Sequence, residues 1–279
     1  RGLDVCTGCG AGARKGPMKG AALGHAKQRL SRGRYVGLTE PTIIAAEAPN
    51  PIVNELVILP DMEKRLEAFV RMAHVIVVFP GGVGTAEEIL YLLAILLDEA
   101  NAGVELPVIM AGPASAEPYF RHLNEFIGAT LGDEAQRLYR IVIDNPDDVA
   151  ALVARNVRRV AKLRDDANES FFFNWKLDIG IELQQPFEAT HESMAALDLS
   201  AAQPAVDLAV NLRRAFSGIV AGNVREQGVK LVEQYGPFEL TGDKEIAVAL
   251  DGLLHGFVAD QRMKLSDPAG YQPCYRVAI

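Results

Sequence analysis

Residues 75–97 set three things in a fixed order. An apolar run, Val75-Ile76-Val77-Val78-Phe79, leads into the loop Pro80-Gly81-Gly82-Val83-Gly84-Thr85, and Ala86 to Leu97 then reads as a helix. A short apolar run bounded by turn residues is a buried strand. A strand that passes into a helix through a few glycines belongs to a parallel sheet, because parallel strands are joined by crossovers and the usual crossover is a helix. The same junction is a ready anion site: the first N–H groups of a helix have no intrahelical acceptor, and the positive end of its dipole points there. Glu88 stands one turn into that helix, so an acid lies beside the anion grip.

The alternation fills the first 165 residues. Strands are expected at Leu3–Thr7, Arg34–Thr39, Glu55–Leu59, 75–79, 106–110 and 139–143. Helices are expected at Pro17–Leu30, Asp61–His74, 85–98, 117–130 and 146–163. In the helix from Asp61, that residue is the expected cap, and Leu66, Phe69, Val70 and Ala73 share the inward face. The pattern predicts an α/β chain, a Rossmann-like parallel sheet wrapped by helices, with ligands beyond the carboxyl ends of the strands. Asp165 to Glu169 reads as a polar linker, dividing a domain at 1–165 from one at 166–279. The second is smaller and mainly helical, with helical patterns over Pro204–Tyr235 and Asp243–Met263 separated by Gly236-Pro237.

The chain is 279 residues long and 49% hydrophobic, enough for a sizeable core. Its formal charge of −8 opposes a surface that coats nucleic acid, while leaving room for a local basic pocket. No run of 18 apolar residues suggests a membrane span. Three cysteines, Cys6, Cys9 and Cys274, suit a reducing cytoplasm. Cys6-Thr7-Gly8-Cys9 is formally a redox C-x-x-C pair, but the glycines around it fit a ligand loop better. The chain opens on Arg1 and enters a strand almost at once, which we read as the mark of a fragment or a processed chain.

Four features carry the chemistry. Gly81, Gly82 and Gly84 let a phosphate approach the backbone, and the Thr85 hydroxyl adds a hydrogen bond; an isolated glycine cluster also serves as a plain turn. The loop lacks the lysine of a P-loop. Glu88 is either an ordinary surface acid or a group acting on a sugar ring or a water; Glu87, about 100° round the helix, cannot share its role. Arg65 sits at the edge of its helix's inward face, while Lys64 and Arg71 read as solvated. The first glycine loop, Thr7-Gly8-Cys9-Gly10-Ala11-Gly12, also follows a strand, but dinucleotide binding wants an acid after the second strand, and Glu40 is only a loose candidate. The five histidines show no ligand spacing. Arg213-Arg214 lie in a helix of small residues that suits close packing, with a basic patch for a regulatory nucleotide or a partner subunit as the alternative.

The order of these features is more specific than any one of them. Asp61-Met62-x-x-Arg65, followed 23 residues after the arginine by the end of Pro80-Gly81-Gly82-x-Gly84-Thr85-x-x-Glu88, resembles the signature of the Lonely Guy (LOG) family of nucleotide phosphoribohydrolases, often labelled lysine decarboxylases. Thr39-Glu40-Pro41, Ala45 to Pro51 with Asn54-Glu55, Phe173-Asn174-Trp175 and Arg213 to Asn223 are similar to one bacterial branch, the pyrimidine/purine nucleotide 5′-monophosphate nucleosidases. The likeness covers essentially the whole chain. It departs at Arg14, where the family usually has methionine, and in lacking the branch's further N-terminal region.

The resemblance implies hydrolysis of the N-glycosidic bond of nucleoside 5′-monophosphates, the AMP, GMP, CMP and UMP class, to free base and ribose 5-phosphate. Gly81, Gly82, Gly84 and Thr85 would hold the phosphate, and Gly8, Gly10 and Met62 would line the substrate site. Glu88 would stabilise positive charge on the ribose or orient water, and Arg65 would keep Glu88 ionised and position the ribose or phosphate. No metal or organic cofactor is implied. A homo-oligomer, dimer or tetramer, is. A non-catalytic nucleotide sensor of the same fold is the alternative. A pyridoxal-phosphate decarboxylase would need a Schiff-base lysine, and only Lys19 lies near a glycine loop.

Overall fold

Apolar runs three to five residues long become strands, and the helical patterns between them become their crossovers. The computed structural model describes residues 2–10, 15–263 and 272–278. The chain passes through β1 (Val5–Thr7), α1 (Lys15–Lys27), β2 (Tyr35–Thr39), α2 (Pro41–Ala46), β3 (Glu55–Ile58) and α3 (Met62–Met72). It continues through β4 (Ile76–Val78), α4 (Val83–Leu97), β5 (Val108–Gly112), α5 (Glu117–Gln136), β6 (Tyr139–Ile143) and α6 (Pro146–Asp166). The later part holds α7 (Ile181–Gln184), α8 (His191–Ala195), β7 (Asp198–Leu199), α9 (Ala205–Val224), α10 (Glu226–Tyr235), β8 (Phe238–Gly242), α11 (Lys244–Ala259) and β9 (Tyr275–Ala278). Among the described residues three three-stranded sheets form, in the orders β1-β2-β3, β4-β5-β6 and β7-β8-β9. Their strands pair in parallel, with Val36 opposite Glu55, Val108 opposite Tyr139 and Leu240 opposite Val277. The protein is thus the α/β chain that the alternation predicts.

Two compact units divide the residues: Arg1–Ile76 with Asp147–Pro186, and Val77–Pro146 with Phe187–Ile279. In the first, the aromatic segment after α6 is fastened to α3. Asn174, buried, takes the Arg71 carbonyl with its own N–H, and the Arg71 guanidinium donates to the Asn174 and Leu177 carbonyls at 3.0 and 2.9 Å. Arg71 is therefore a tie between segments rather than the solvated residue expected. In the second unit, α4 is buried on nearly every side, from Ile89 through Ile95, and packs along α9. The small residues of α9 have steric reasons: a Cβ on Gly218 would lie 2.2 Å from the Met194 sulfur, and one on Gly222 would lie 2.8 Å from that of Cys274.

Several boundaries move. Helix α4 begins at Val83, so Gly84 and Thr85 lie in its first turn, not in a turn ahead of it; the Thr85 and Ala86 N–H groups both reach the Gly82 carbonyl. Helix α6 runs to Asp166, taking in the start of the expected linker. The pattern over Pro204–Tyr235 breaks at Arg225, whose extended backbone separates α9 from α10. Strands β7, β8 and β9 add a small sheet to the helical C-terminal region. Their brevity hides them, although Phe238 and Leu240 alternate inward.

Candidate active site

In the first unit, β1 delivers the first glycine loop. Cys9 adopts a left-handed backbone (φ 55°), and the Gly10 N–H closes back on the Gly8 carbonyl at 2.8 Å. Asn50 locks this turn: its backbone N–H and its side-chain amide both donate to the Cys9 carbonyl, at 2.8 and 2.9 Å. Gly37 on β2 makes the close approach possible, since a Cβ there would meet that of Cys9 at 2.5 Å. Gly8 and Gly10 are buried. Gly12 and Arg14 lie outside the described residues.

Helix α3 supplies Arg65. Asp61 caps it as expected, accepting the Lys64 N–H at 2.7 Å. Arg65 is only 1% exposed, so it is an interior residue rather than one at the edge of the inward face. Its Nε donates to the Leu38 carbonyl at 3.2 Å, at the carboxyl end of β2, and its guanidinium lies over the Phe69 ring and within 3.2 Å of the Met62 sulfur. A buried guanidinium is costly unless its donors are met, so this placement is built. Burial pushes the Cys6 thiol up to about 12, with Arg65 pulling it the other way, which leaves it protonated at neutral pH and unsuited to thiolate chemistry. Glu40 caps α2, accepting the Thr42 and Ile43 N–H groups at 2.9 and 3.0 Å, so its carboxylate is committed to the backbone. Lys19 is exposed on α1, without the desolvation that makes a lysine nucleophilic.

In the second unit, the glycine loop forms the head of α4. A Cβ at Gly81 would lie 1.9 Å from the Thr85 hydroxyl oxygen, so the loop folds tightly over that side chain. Gly84 differs: a Cβ there meets nothing within 4 Å, and the residue is exposed. Four residues on, and so on the same face, stands Glu88, half-buried. The Tyr119 ring lies alongside. Burial pushes its hydroxyl up to about 12; the Gly81 backbone and Arg262 favour the ionised form, and Glu88 opposes it. Glu87 points elsewhere, into a buried ion pair with Arg213 (3.2 Å), and the side chains are 4% and 0% exposed. Burial pushes Glu87 up, while Arg213, Arg225 and a hydrogen bond from Ser217 pull it down; the net direction is up. Arg213 is thus a packing residue of α9, as its small neighbours suggest. Among the described residues no group of three or more His, Cys, Asp and Glu is arranged to hold a metal.

Comparison with known proteins adds two family matches. The model described as "Possible lysine decarboxylase" matches residues 17–153, and that for "Pyrimidine/purine nucleotide monophosphate nucleosidase, C-terminal" matches 157–278. Residues 17–153 belong to the first of these families and residues 157–278 to the second. It is 56% identical over 277 residues to the pyrimidine/purine nucleotide 5′-monophosphate nucleosidase of Escherichia coli K12, and equally to those of strains O6:H1 and O157:H7. These alignments take in 99% of this chain and 61% of each relative, so the chain spans about three fifths of the length of the curated relatives it matches.

Of the expected site residues, Arg65, Met62, Gly8 and Gly10 belong to the first unit, and Gly81, Gly82, Gly84, Thr85 and Glu88 to the second. The structure also shows what the sequence concealed. Asn50 was visible only inside a family-like stretch, and nothing marked it as the lock on the first loop. Tyr119 was one apolar position of α5. Arg262 lay unremarked at the end of a helical pattern. No helix among the described residues is long and apolar enough to cross a membrane.

Proposed function

We propose that this chain hydrolyses the N-glycosidic bond of nucleoside 5′-monophosphates, releasing the free base and ribose 5-phosphate. The observation that carries this reading is the head of α4: an uncapped helix N-terminus in which Gly84 faces open space, with Glu88 one turn above it on the same face. The backbone there suits the 5′-phosphate. Anchoring it places the ribose for reaction, so that binding at a remote group serves the chemical step. Water oxygen bonds to C1′ as the C1′–N bond breaks; the electron pair leaves with the base, which takes up a proton. Positive charge builds on the ribose on the way, as in glycoside hydrolysis generally, and the Glu88 carboxylate stabilises it or orients the water. Arg65 is assigned to positioning the ribose. The 56% identity to named nucleosidases supports the same reading.

In this proposal AMP, GMP, CMP and UMP are the substrate class, no metal or organic cofactor takes part, nucleic acid and membranes are not partners, and the protein works in the cytoplasm as a homo-oligomer, dimer or tetramer. Residues 1–165 supply the reacting groups, and α9 of the 166–279 region packs along the helix that carries Glu88.

The test is to incubate the purified chain with the four monophosphates and follow base release by chromatography, beside Glu88→Gln. Loss of about 10²–10⁴ in turnover, with ribose 5-phosphate still bound, is the expected result. Binding without any release from the wild type would favour the sensor reading.

A further inference from the structure

Arg262 stands where the phosphate loop lacks a cation. Helix α11 ends in a Schellman motif: Gln261 takes the left-handed conformation (φ 55°), its N–H bonds the Val258 carbonyl, and the Arg262 N–H bonds the Phe257 carbonyl at 2.7 Å. That cap fixes the arginine's backbone. Its carbonyl lies so close to the loop that a Cβ on Gly82 would come within 2.0 Å of it, so Gly82 is glycine to admit this turn. The side chain then lies over the Tyr119 ring, Cζ to centroid 4.7 Å, and Tyr119 itself stacks on Phe257.

Among the described residues the guanidinium is placed but lightly bonded. Nη1 reaches the Gly81 carbonyl at 3.5 Å, a weak bond, and among the described residues the buried Nε has no hydrogen-bond partner, with the Asp260 carboxylate 3.9 Å away. A phosphate seated at the head of α4 would bring up to two negative charges near the Glu88 carboxylate. Backbone dipoles alone balance that poorly, whereas a planar guanidinium with donors in reserve suits a phosphate.

We propose that Arg262 is the side-chain cation of the phosphate site, contributed to the glycine loop by the C-terminal segment. The assignment rests on reading that loop as the phosphate cradle. Arg262→Gln and Arg262→Lys test it through calorimetric titration with ribose 5-phosphate, which needs no turnover, and through kcat and KM for AMP, with thermal unfolding as the check on folding. Arg262→Gln should weaken ribose 5-phosphate binding and raise KM by about 10- to 100-fold, as loss of a charged hydrogen bond does, with kcat much less affected; lysine should recover part. Equal ribose 5-phosphate binding by wild type and Arg262→Gln overturns the assignment, as does a wild type that does not bind it. A fall in melting temperature and kcat with KM unchanged also overturns it, showing a structural prop. A wild type that binds ribose 5-phosphate through Arg262 yet releases no base upholds the assignment while the nucleosidase reading falls.

Discussion

An alanine at position 84 would meet open space, which makes its glycine hard to explain by packing. Glycine in the first turn of α4 gives up helix propensity, and no neighbour among the described residues requires it. On the proposed function the missing Cβ has a use, leaving the backbone N–H groups open to a phosphate. Gly84→Ala should therefore raise stability by about 0.5–1 kcal/mol in urea unfolding while weakening ribose 5-phosphate binding. Stability gained with binding unchanged would mean that the phosphate sits elsewhere. The neighbouring glycines have other reasons, Gly81 the Thr85 side chain and Gly82 the Arg262 carbonyl, so one motif holds three distinct constraints. Sequence displays the motif but not this division of labour. For the same reason Asn50, Tyr119 and Arg262 were illegible: each is a single polar or aromatic residue whose meaning comes from a partner some 40 to 180 positions away.

Elements were legible where a hydrophobic period or a side-chain cap announced them. Asp61 marks the start of α3, and the five residues of β6 are those expected. Ends were less legible, because α1, α6 and α11 close through left-handed Arg29, Asn168 and Gln261 where a reader looks for glycine. Helix α3 also shows why the surroundings of Arg65 were misjudged. Its outer face is bound by Glu67, which accepts from Lys64 and Arg71 at 2.7 Å each, and Arg71 in turn holds the segment after α6. Burial pushes the Glu67 carboxyl up, but those two bonds outweigh it and hold the group below its ordinary value. A carboxylate depressed in the folded state adds stability that is complete above its unfolded value and lost as pH falls through the folded one. The urea midpoint should fall as pH drops through and below the ordinary carboxyl range, and Glu67→Gln should flatten part of that fall. An unchanged slope would show that Glu67 titrates alike in both states.

At the scale of the whole chain, each compact unit draws on both matched segments, so neither segment contains a complete core. The alternation of strands and helices revealed the sheets but not this interleaving, because a boundary seen in composition need not be a boundary in packing. The bond that best represents it is Glu87 to Arg213, a buried ion pair joining the helix that carries Glu88 to a helix of the C-terminal segment. Removing Arg213 takes away the largest countercharge of a buried carboxyl. Arg213→Ala should cost about 3–5 kcal/mol, whereas replacing both residues by methionine should return most of it. The pH dependence separates this from mere loss of packing. Glu87 is already raised by burial, and losing its largest countercharge raises it further, so the folded variant prefers the protonated acid. A carboxyl raised in the folded state gives stability that is full below its unfolded value and is lost as pH rises through the folded one. Urea unfolding of Arg213→Ala should thus show a deficit against the wild type that widens as pH rises above the ordinary carboxyl range, and the double variant should show no such slope. A deficit independent of pH would mean that Arg213 acts through its volume, and that α4 is held by apolar contact alone.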